Sequence, residues 1–454
     1  METDFKKNEL SVQIGNKQIL SIALPITLAI LIPQLNLLIN SIFLGHLSRE
    51  ALGNAGVTGV FYLIFAVAGH GLNSAMQSVF SGYAGNDKPE LFKIVLAQGV
   101  RISLQLALGF MLFTWIFAPM ILKNVADPSS YPQEISFLNI RISGLPFLFL
   151  FQMGNAFLIS SLNSRLLIIG FVFEALTNIL FDYLLIFGKL GFPQMGFNGA
   201  ALASVIAEFS GMIVVFIVIH FSGLKKKFSL LSTLAYNKEV SKKVIRIAFP
   251  LILQFIISLT TWLVFFLLIE TRGPIEKAIS NTMRNVFGLA GIFIWAFAGT
   301  CNNMVANLIG QGKQDWVIPT VKRISLWSLG SCVLIVLLLN IQPLFFFSLF
   351  GQDQTFMEIG IPVIRVVSLG MIFMSVSNVW LNAVTGTGKT KVSLAIEIIT
   401  ISLYLIYTLY FMKYNYISLA MAWSNEFVYW TSILFLTSGY MFSKRWQKNT
   451  NISE

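Results

Sequence analysis

Residues 170–209 read GFVFEALTNILFDYLLIFGKLGFPQMGFNGAALASVIAEF. An apolar run carries Glu174, Asn178 and Asp182. A Gly- and Pro-bearing hairpin follows, and a second apolar run carries Ser204 and Glu208. Each run is about as long as the roughly 20 residues that cross a bilayer. A carboxylate inside such a helix is costly and needs a reason to be there. Glu174, Asn178 and Asp182 are spaced i, i+4, i+8, which lays all three on one helix face over about 12 Å of rise. The expectation is a face that lines a water-filled cavity and holds a cation.

The rest of the chain supplies the body around that face. Of 454 residues, 56% are hydrophobic and only 11% are charged, and mean hydropathy is +0.76. Soluble globular proteins carry about 25% charged residues. The chain therefore reads as an all-α polytopic membrane protein whose main partner is the lipid bilayer. The polar start, METDFKKNELSVQIGNKQ, leads into a long apolar segment without a short apolar core and cleavage site, so no cleaved signal peptide is expected. A net charge of +11 does not point to nucleic acid, because lysine and arginine sit mostly in short loops, where they set topology. Cys301 and Cys332 lie in separate apolar runs. Two cysteines make no disulfide framework, and packed thiols are expected.

Hydropathy gives twelve spanning segments, near 19–43, 53–79, 94–122, 135–162, 166–188, 197–222, 244–269, 278–309, 320–346, 359–384, 392–412 and 416–442. With the N-terminus inside, the great majority of the 31 lysines and arginines fall in cytoplasmic tails and loops. This bias sets both termini in the cytoplasm. The basic loop 223–243, SGLKKKFSLLSTLAYNKEVSK, splits the spans six and six. The expected organisation is an N-terminal six-helix lobe over 1–222, this linker, and a C-terminal lobe over 244–454.

An internal repeat supports that division. Ile22-Ala23-Leu24-Pro25 matches Ile247-Ala248-Phe249-Pro250, and Ala51, Asn54, Gly71, Met76 and Gly82 match Ala278, Asn281, Gly299, Met304 and Gly310. Ile140-Arg141 matches Ile364-Arg365, and Glu174 matches Glu397. Halves with an even number of spans are related by an axis along the membrane normal, and substrate is expected between them near the midplane. Leu405 stands where Asp182 would recur, so the cation site belongs to the N-terminal half. Asp182 beside Asn178 gives the oxygen ligands that a proton or a sodium ion needs.

The other in-span charges are read structurally. Pairing of Arg141 with Glu174, and of Arg365 with Glu397, is the economical expectation. Glu208 and Glu426 each stand alone on a helix, where a structural partner and a functional role are equally open. Gly386-Thr387-Gly388-Lys389-Thr390 resembles part of a phosphate loop but lacks its upstream glycine, with Ala383 and Val384 in that region. It also sits at a helix end rather than after a strand, so nucleotide binding is rejected. No ATPase module follows the spans, and active transport would run on an ion gradient. No nucleophile–base or metal constellation suggests an enzyme, and no cofactor is expected beyond the coupling ion, H+ or Na+.

The run Asn178-x-x-x-Asp182-Tyr183-x-Leu185-Ile186-Phe187-Gly188, followed by Gly191-x-Pro193-x-Met195-Gly196-x-x-Gly199-Ala200-Ala201-x-Ala203-Ser204, resembles the fifth and sixth helices of multidrug and toxic compound extrusion (MATE) transporters. Pro25 and Phe43-Leu44-Gly45 resemble that family's first helix, and 71–85 and 299–312 its second and eighth helix ends. The likeness covers nearly the whole chain and is DinF-like rather than NorM-like. It implies two pseudo-symmetric six-helix lobes around a V-shaped cleft in a bacterial inner (plasma) membrane. It also implies efflux of amphipathic or cationic small molecules against inward proton or sodium flow by alternating access, from a monomer. The family cation site maps onto Asn178, Asp182 and Ser204, with sodium, if it binds, at Asp182 and Asn178. One departure stands out. The family's first-helix aspartate is Asn40 here, and asparagine carries neither the proton nor the charge. The C-lobe acids of NorM-like members are also replaced, near Ser258 and Met374. Either Glu174 compensates or coupling is altered. The competing readings are a flippase for a lipid-linked precursor and a non-transporting membrane scaffold.

Overall fold

In the computed structural model, residues 9–125, 128–230, 232, 235–348, 354–414 and 417–448 are described, and among them there are helices and turns but no strand. This is what a bilayer demands. With no water in the hydrocarbon, each apolar run must satisfy its own backbone, and a helix does so within the segment.

The helices are α1 Asn16–Leu47, α2 Arg49–Gly85, α3 Phe92–Val125, α4 Tyr131–Arg141, α5 Leu145–Ser160, α6 Leu167–Phe187, α7 Phe197–Phe221, the short α8 Leu224–Lys227, and α9 Lys238–Glu270. After them come α10 Pro274–Gly310, α11 Val317–Ile341, α12 Pro343–Ser348, α13 Gln354–Gly386, α14 Thr390–Tyr414, α15 Leu419–Trp423 and α16 Asn425–Phe442. Among the described residues, 11 helical stretches are long and apolar enough to cross a membrane. The fourth, Tyr131–Ser160, joins α4 to α5 through a 3-10 turn at Ile142–Gly144. The twelfth expected span, 416–442, is not among the 11. It is broken into α15 and α16 around Ser424, and Asn425, Glu426, Tyr429, Trp430 and Thr431 dilute its apolar character.

Local chemistry sets several boundaries. The Ser48 side chain caps α2 by accepting from the Ala51 N–H, and Ser418 does the same for α15 from Met421. Pro274 opens α10, where the missing N–H costs nothing. Gly188 ends α6 with φ +65°, and Gly196, at φ +56°, precedes α7. Met195 N–H donates to the Leu185 carbonyl, 2.8 Å, pinning the hairpin. Gly199 is obligatory for the close approach of the two helices. A Cβ there would sit 2.7 Å from the Leu185 carbonyl oxygen.

By contact the chain divides into two units. The first is Met1–Leu10 with Leu24–Ile252, and the second is Ser11–Ala23 with Leu253–Glu454. The N-terminal ends of α1 and α9 thus group with the opposite sequence half, at places that fall next to the repeat-matched Pro25 and Pro250. Unit 1 has several small apolar clusters. One joins the C-terminal ends of α1 and α6 to the start of α7 through Leu44, Ile186 and Ala200. Unit 2 has a larger core in which Trp423 stacks on Phe287, 5.9 Å between centroids, and meets Phe265 edge-on. Both cysteines are free and buried, as expected, and the Cys332 thiol donates to the Met371 carbonyl at 3.3 Å.

Candidate functional site

Asn178 and Asp182 lie on the buried side of α6, and Glu174 is half-buried. Asp182 is fully buried and Asn178 nearly so. The Asn178 Oδ1 accepts from Asn36 Nδ2 of α1 at 2.7 Å. Further along the same two helices Phe43 meets Phe187 edge-on at 6.0 Å. The two contacts advance in the same direction along both chains, so α1 and α6 run parallel. One turn beyond Asn36 on α1 is Asn40, and one turn beyond Asn178 on α6 is Asp182. Asn40 and Asp182 thus each follow the bonded pair Asn36–Asn178 by one turn of their own helix.

Hydrogen bonding at this place is conspicuously incomplete. Both carboxylate oxygens of Asp182, the Oδ1 atoms of Asn36 and Asn40, and the Nδ2 of Asn178 are buried without a partner. Buried polar atoms in folded proteins are overwhelmingly paired. Four of these atoms are oxygens, and all four lie on α1 or α6 within a turn of the Asn36–Asn178 bond. None of the described residues forms an ion pair with Asp182.

The remaining residues lie as follows. Ser204 is half-buried, and its hydroxyl donates to the Ala200 carbonyl of its own helix, 3.0 Å, not to Asp182. Glu174 lies one turn before Asn178 on the α6 face and packs against Gly211 of α7, where a Cβ would be 3.1 Å from the Glu174 Cβ. Its Oε2 is buried and unpartnered.

Arg141 does not pair with Glu174. It forms a bidentate pair with Glu208 of α7, Nη2–Oε1 2.6 Å and Nη1–Oε2 2.9 Å. Tyr62 of α2 donates to the same carboxylate at 2.9 Å, and its ring lies 3.6 Å beneath the guanidinium. The reason is local. The 3-10 turn after Arg141 brings Gly144 against Glu208, where a Cβ would stand 2.1 Å from Oε2. Only glycine leaves room for that carboxylate, and a planar guanidinium then meets it as a fork.

Arg365 does not pair with Glu397 either. Arg365 is exposed on α13, while Glu397 is buried on α14 and takes its hydrogen bonds from Tyr429 and Gln254. Glu426 accepts from Trp430 Nε1 at 3.0 Å. The sequence reading missed Asn36, Tyr62, Gln254 and Tyr429. For Asn36 the signal was available, since it stands four residues before Asn40 on one helix face.

Comparison with known proteins gives the family. The MatE family model matches residues 25–184 and again residues 247–410, once for each half of the repeat. The chain belongs to the MATE family of multi-pass membrane transporters. A probable multidrug resistance protein NorM of Thermotoga maritima is 23% identical over 95% of this chain and 93% of that protein. A crystal structure of MATE in complex with MaD3S superposes with a TM-score of 0.86 at 15% identity, covering 98% of this chain and all of that one. An outward-facing multidrug resistance MATE transporter of the MOP superfamily gives 0.85 at 17%, over 99% of this chain and 100% of that one. At that identity the structures speak to the fold. The named sequence relative is a NorM protein, so the DinF-like placement rests on the residue pattern of this chain alone.

Proposed function

We infer that the protein is a secondary active exporter of organic cations or other amphipathic compounds, driven by inward flow of protons or sodium ions through alternating access. It works as a monomer in a bacterial inner membrane with both termini in the cytoplasm. The observation that carries this reading is Asp182, a fully buried carboxylate in a spanning helix with no hydrogen-bond donor, together with the unpartnered oxygens of Asn36 and Asn40 on α1. A charge held this way is unstable unless something cationic compensates it. An ion that enters, neutralises Asp182 and leaves on the other side ties its own passage to the state of the helices around it. The drug resistance named for the NorM relatives supports the direction and the substrate class.

The test is transport of a panel of fluorescent organic cations in inverted vesicles, with proton and sodium gradients imposed separately. Uptake driven by one of the two gradients is expected. Uptake indifferent to both gradients overturns the reading.

Asn40 gives the sharper prediction. Asn40→Asp restores a carboxylate one turn beyond Asn36, as Asp182 is one turn beyond Asn178, and an added anionic ligand tightens a cation site. The sodium or proton concentration for half-maximal transport is expected to fall about tenfold, equivalent to ~1.4 kcal/mol. An unchanged ion dependence, measured on the same vesicles, would place position 40 outside the site.

A further inference from the structure

Residues 223–246, running from the end of α7 into α9, hold seven lysines and arginines against one acid, Glu239. A loop charge that only sets topology needs no fixed place. These residues have one. The one-turn helix α8 turns Leu224 inward, and Phe228 and Leu230 after it are buried too. Phe228 stacks on Phe92 of α3 at 5.0 Å and meets Phe157 of α5 edge-on at 5.3 Å. The start of α9 is seated near the same end of α3. Ser241 donates to Gln98 Oε1 at 2.9 Å, and the Gln98 amide donates to the Ala235 carbonyl at 2.9 Å. Lys243 donates to the Tyr83 hydroxyl of α2 at 3.1 Å. All of these residues belong to unit 1.

We propose that the face left outward by this docking binds the phosphate headgroups of anionic phospholipids. Two of the basic side chains are taken up within the protein. Lys227 pairs with Glu9 at 2.8 Å, and Lys243 lies over the Tyr83 ring. Lys225, Lys226, Lys238, Lys242 and Arg246 stay exposed, and among the described residues none of the five forms an ion pair. Lys238, Lys242 and Arg246 are spaced i, i+4, i+8, which sets them on one face of α9. The exposed side of that helix then turns apolar, with Ile245 48% and Phe249 63% exposed. Phe221, 82% exposed, ends α7 four residues before Lys225. Cations at a helix end, with exposed apolar side chains directly beyond them, are the profile of a chain entering a bilayer.

The occupant follows from that profile. A nucleic acid or an acidic protein would answer the charges but not the exposed Phe221, Ile245 and Phe249, which call for acyl chains next to the anion. A phospholipid supplies both, with its phosphate on the lysines and its chains along the α7 and α9 surfaces. Lysine suits the task, since its ammonium meets a phosphate as a point charge at the end of a flexible stem. The acids exposed at this end are Glu239 on α9 and Asp87 and Glu90 in the turn before α3, and the five cations outnumber them. Because α8 and the start of α9 are docked, the cations are held close to the ends of membrane-length helices, where headgroups lie, and each lysine adds to the attraction of an anionic surface.

The test is native mass spectrometry of the purified full-length protein in detergent, titrated separately with phosphatidylglycerol and with phosphatidylcholine of the same acyl chains. Phosphatidylglycerol is expected to be retained in preference. Lys225→Gln with Lys226→Gln should weaken its binding about 30-fold, a factor of about five for each lysine, and leave phosphatidylcholine unchanged. Lys123→Gln with Lys189→Gln removes the same charge elsewhere, at the far end of α3 and in the hairpin before α7, and should leave phosphatidylglycerol binding as it was. Equal retention of the two lipids overturns the proposal, as does undiminished phosphatidylglycerol binding in the Lys225 and Lys226 variant. An equal loss in the Lys123 and Lys189 variant overturns it too, since net charge would then be enough. Excess inorganic phosphate at matched ionic strength should not displace the lipid; displacement would make the occupant a soluble anion and overturn the proposal likewise. Should the first variant not accumulate, Lys238→Gln with Lys242→Gln on α9 decides by the same criteria.

Discussion

Asp182→Asn is expected to lower gradient-driven efflux by at least about 100-fold, ~2.7 kcal/mol in effective driving interaction, while the protein accumulates and melts as before. The two halves of that statement come from one observation. Asp182 makes no hydrogen bond in the folded protein, so the substitution removes none. It also removes a buried charge that has no ion-pair partner. Removal of such a charge is neutral or stabilising where the charge serves function and not the fold. Transport in the standard vesicle assay and thermal stability by fluorescence-detected size exclusion check the two halves together. Full transport in the variant would falsify the assignment. A variant that fails to fold would instead give Asp182 a structural part, against its lack of hydrogen-bond partners.

Arg141→Gln should behave in the opposite way. The Arg141–Glu208 pair is bidentate, joins a buried carboxylate to a partly buried guanidinium, and is reinforced by Tyr62 from a third helix. Removing one partner leaves Glu208 desolvated and uncompensated, a cost of about 3–5 kcal/mol. The expected result is a large fall in thermal stability and in folded yield, with any residual transport retaining its ion dependence. The double variant Arg141→Met with Glu208→Leu should recover much of that loss, because an apolar replacement of a buried pair is often neutral. If the single variant melts with the unmodified protein, the pair is not holding α2, α4 and α7 together. The contrast between the two variants separates a charge that serves function from one that serves the fold.

The fold was legible because the signals that specify it are long and redundant. Apolar runs, basic loops and a repeat with a slowly drifting offset all point to twelve spans in two halves. The twelfth span is where hydropathy alone weakens, since α15 and α16 carry polar groups around a break at Ser424. The α6 face was legible for the same reason, because i, i+4 spacing is a one-dimensional signal. The partners of the arginines were not. Repeat equivalence suggested Glu174 and Glu397, but a partner is chosen by packing across helices. Gly144, silent in the sequence, clears the space that gives Arg141 to Glu208. Ser204 was assigned by likeness and is found bonded to its own helix backbone. Asn36 was passed over because a neutral amide carries no alarm by itself. Only its bond to Asn178 marks it as part of the α1–α6 contact.

The burial of Cys301 and Cys332 has a practical side. Both thiols are fully enclosed, and neither is close enough to water to meet a maleimide or a methanethiosulfonate reagent in this state. The native chain is therefore a quiet background for site-directed labelling, with no need to strip its cysteines first. A cysteine introduced at Leu190, which is 85% exposed in the α6–α7 hairpin, or at Lys226 on α8 can carry a spin label or a fluorophore on an otherwise silent molecule. Reagents supplied from one side of the membrane at a time would then report which face each loop occupies, and distance measurements between such labels would follow the molecule as ions are added.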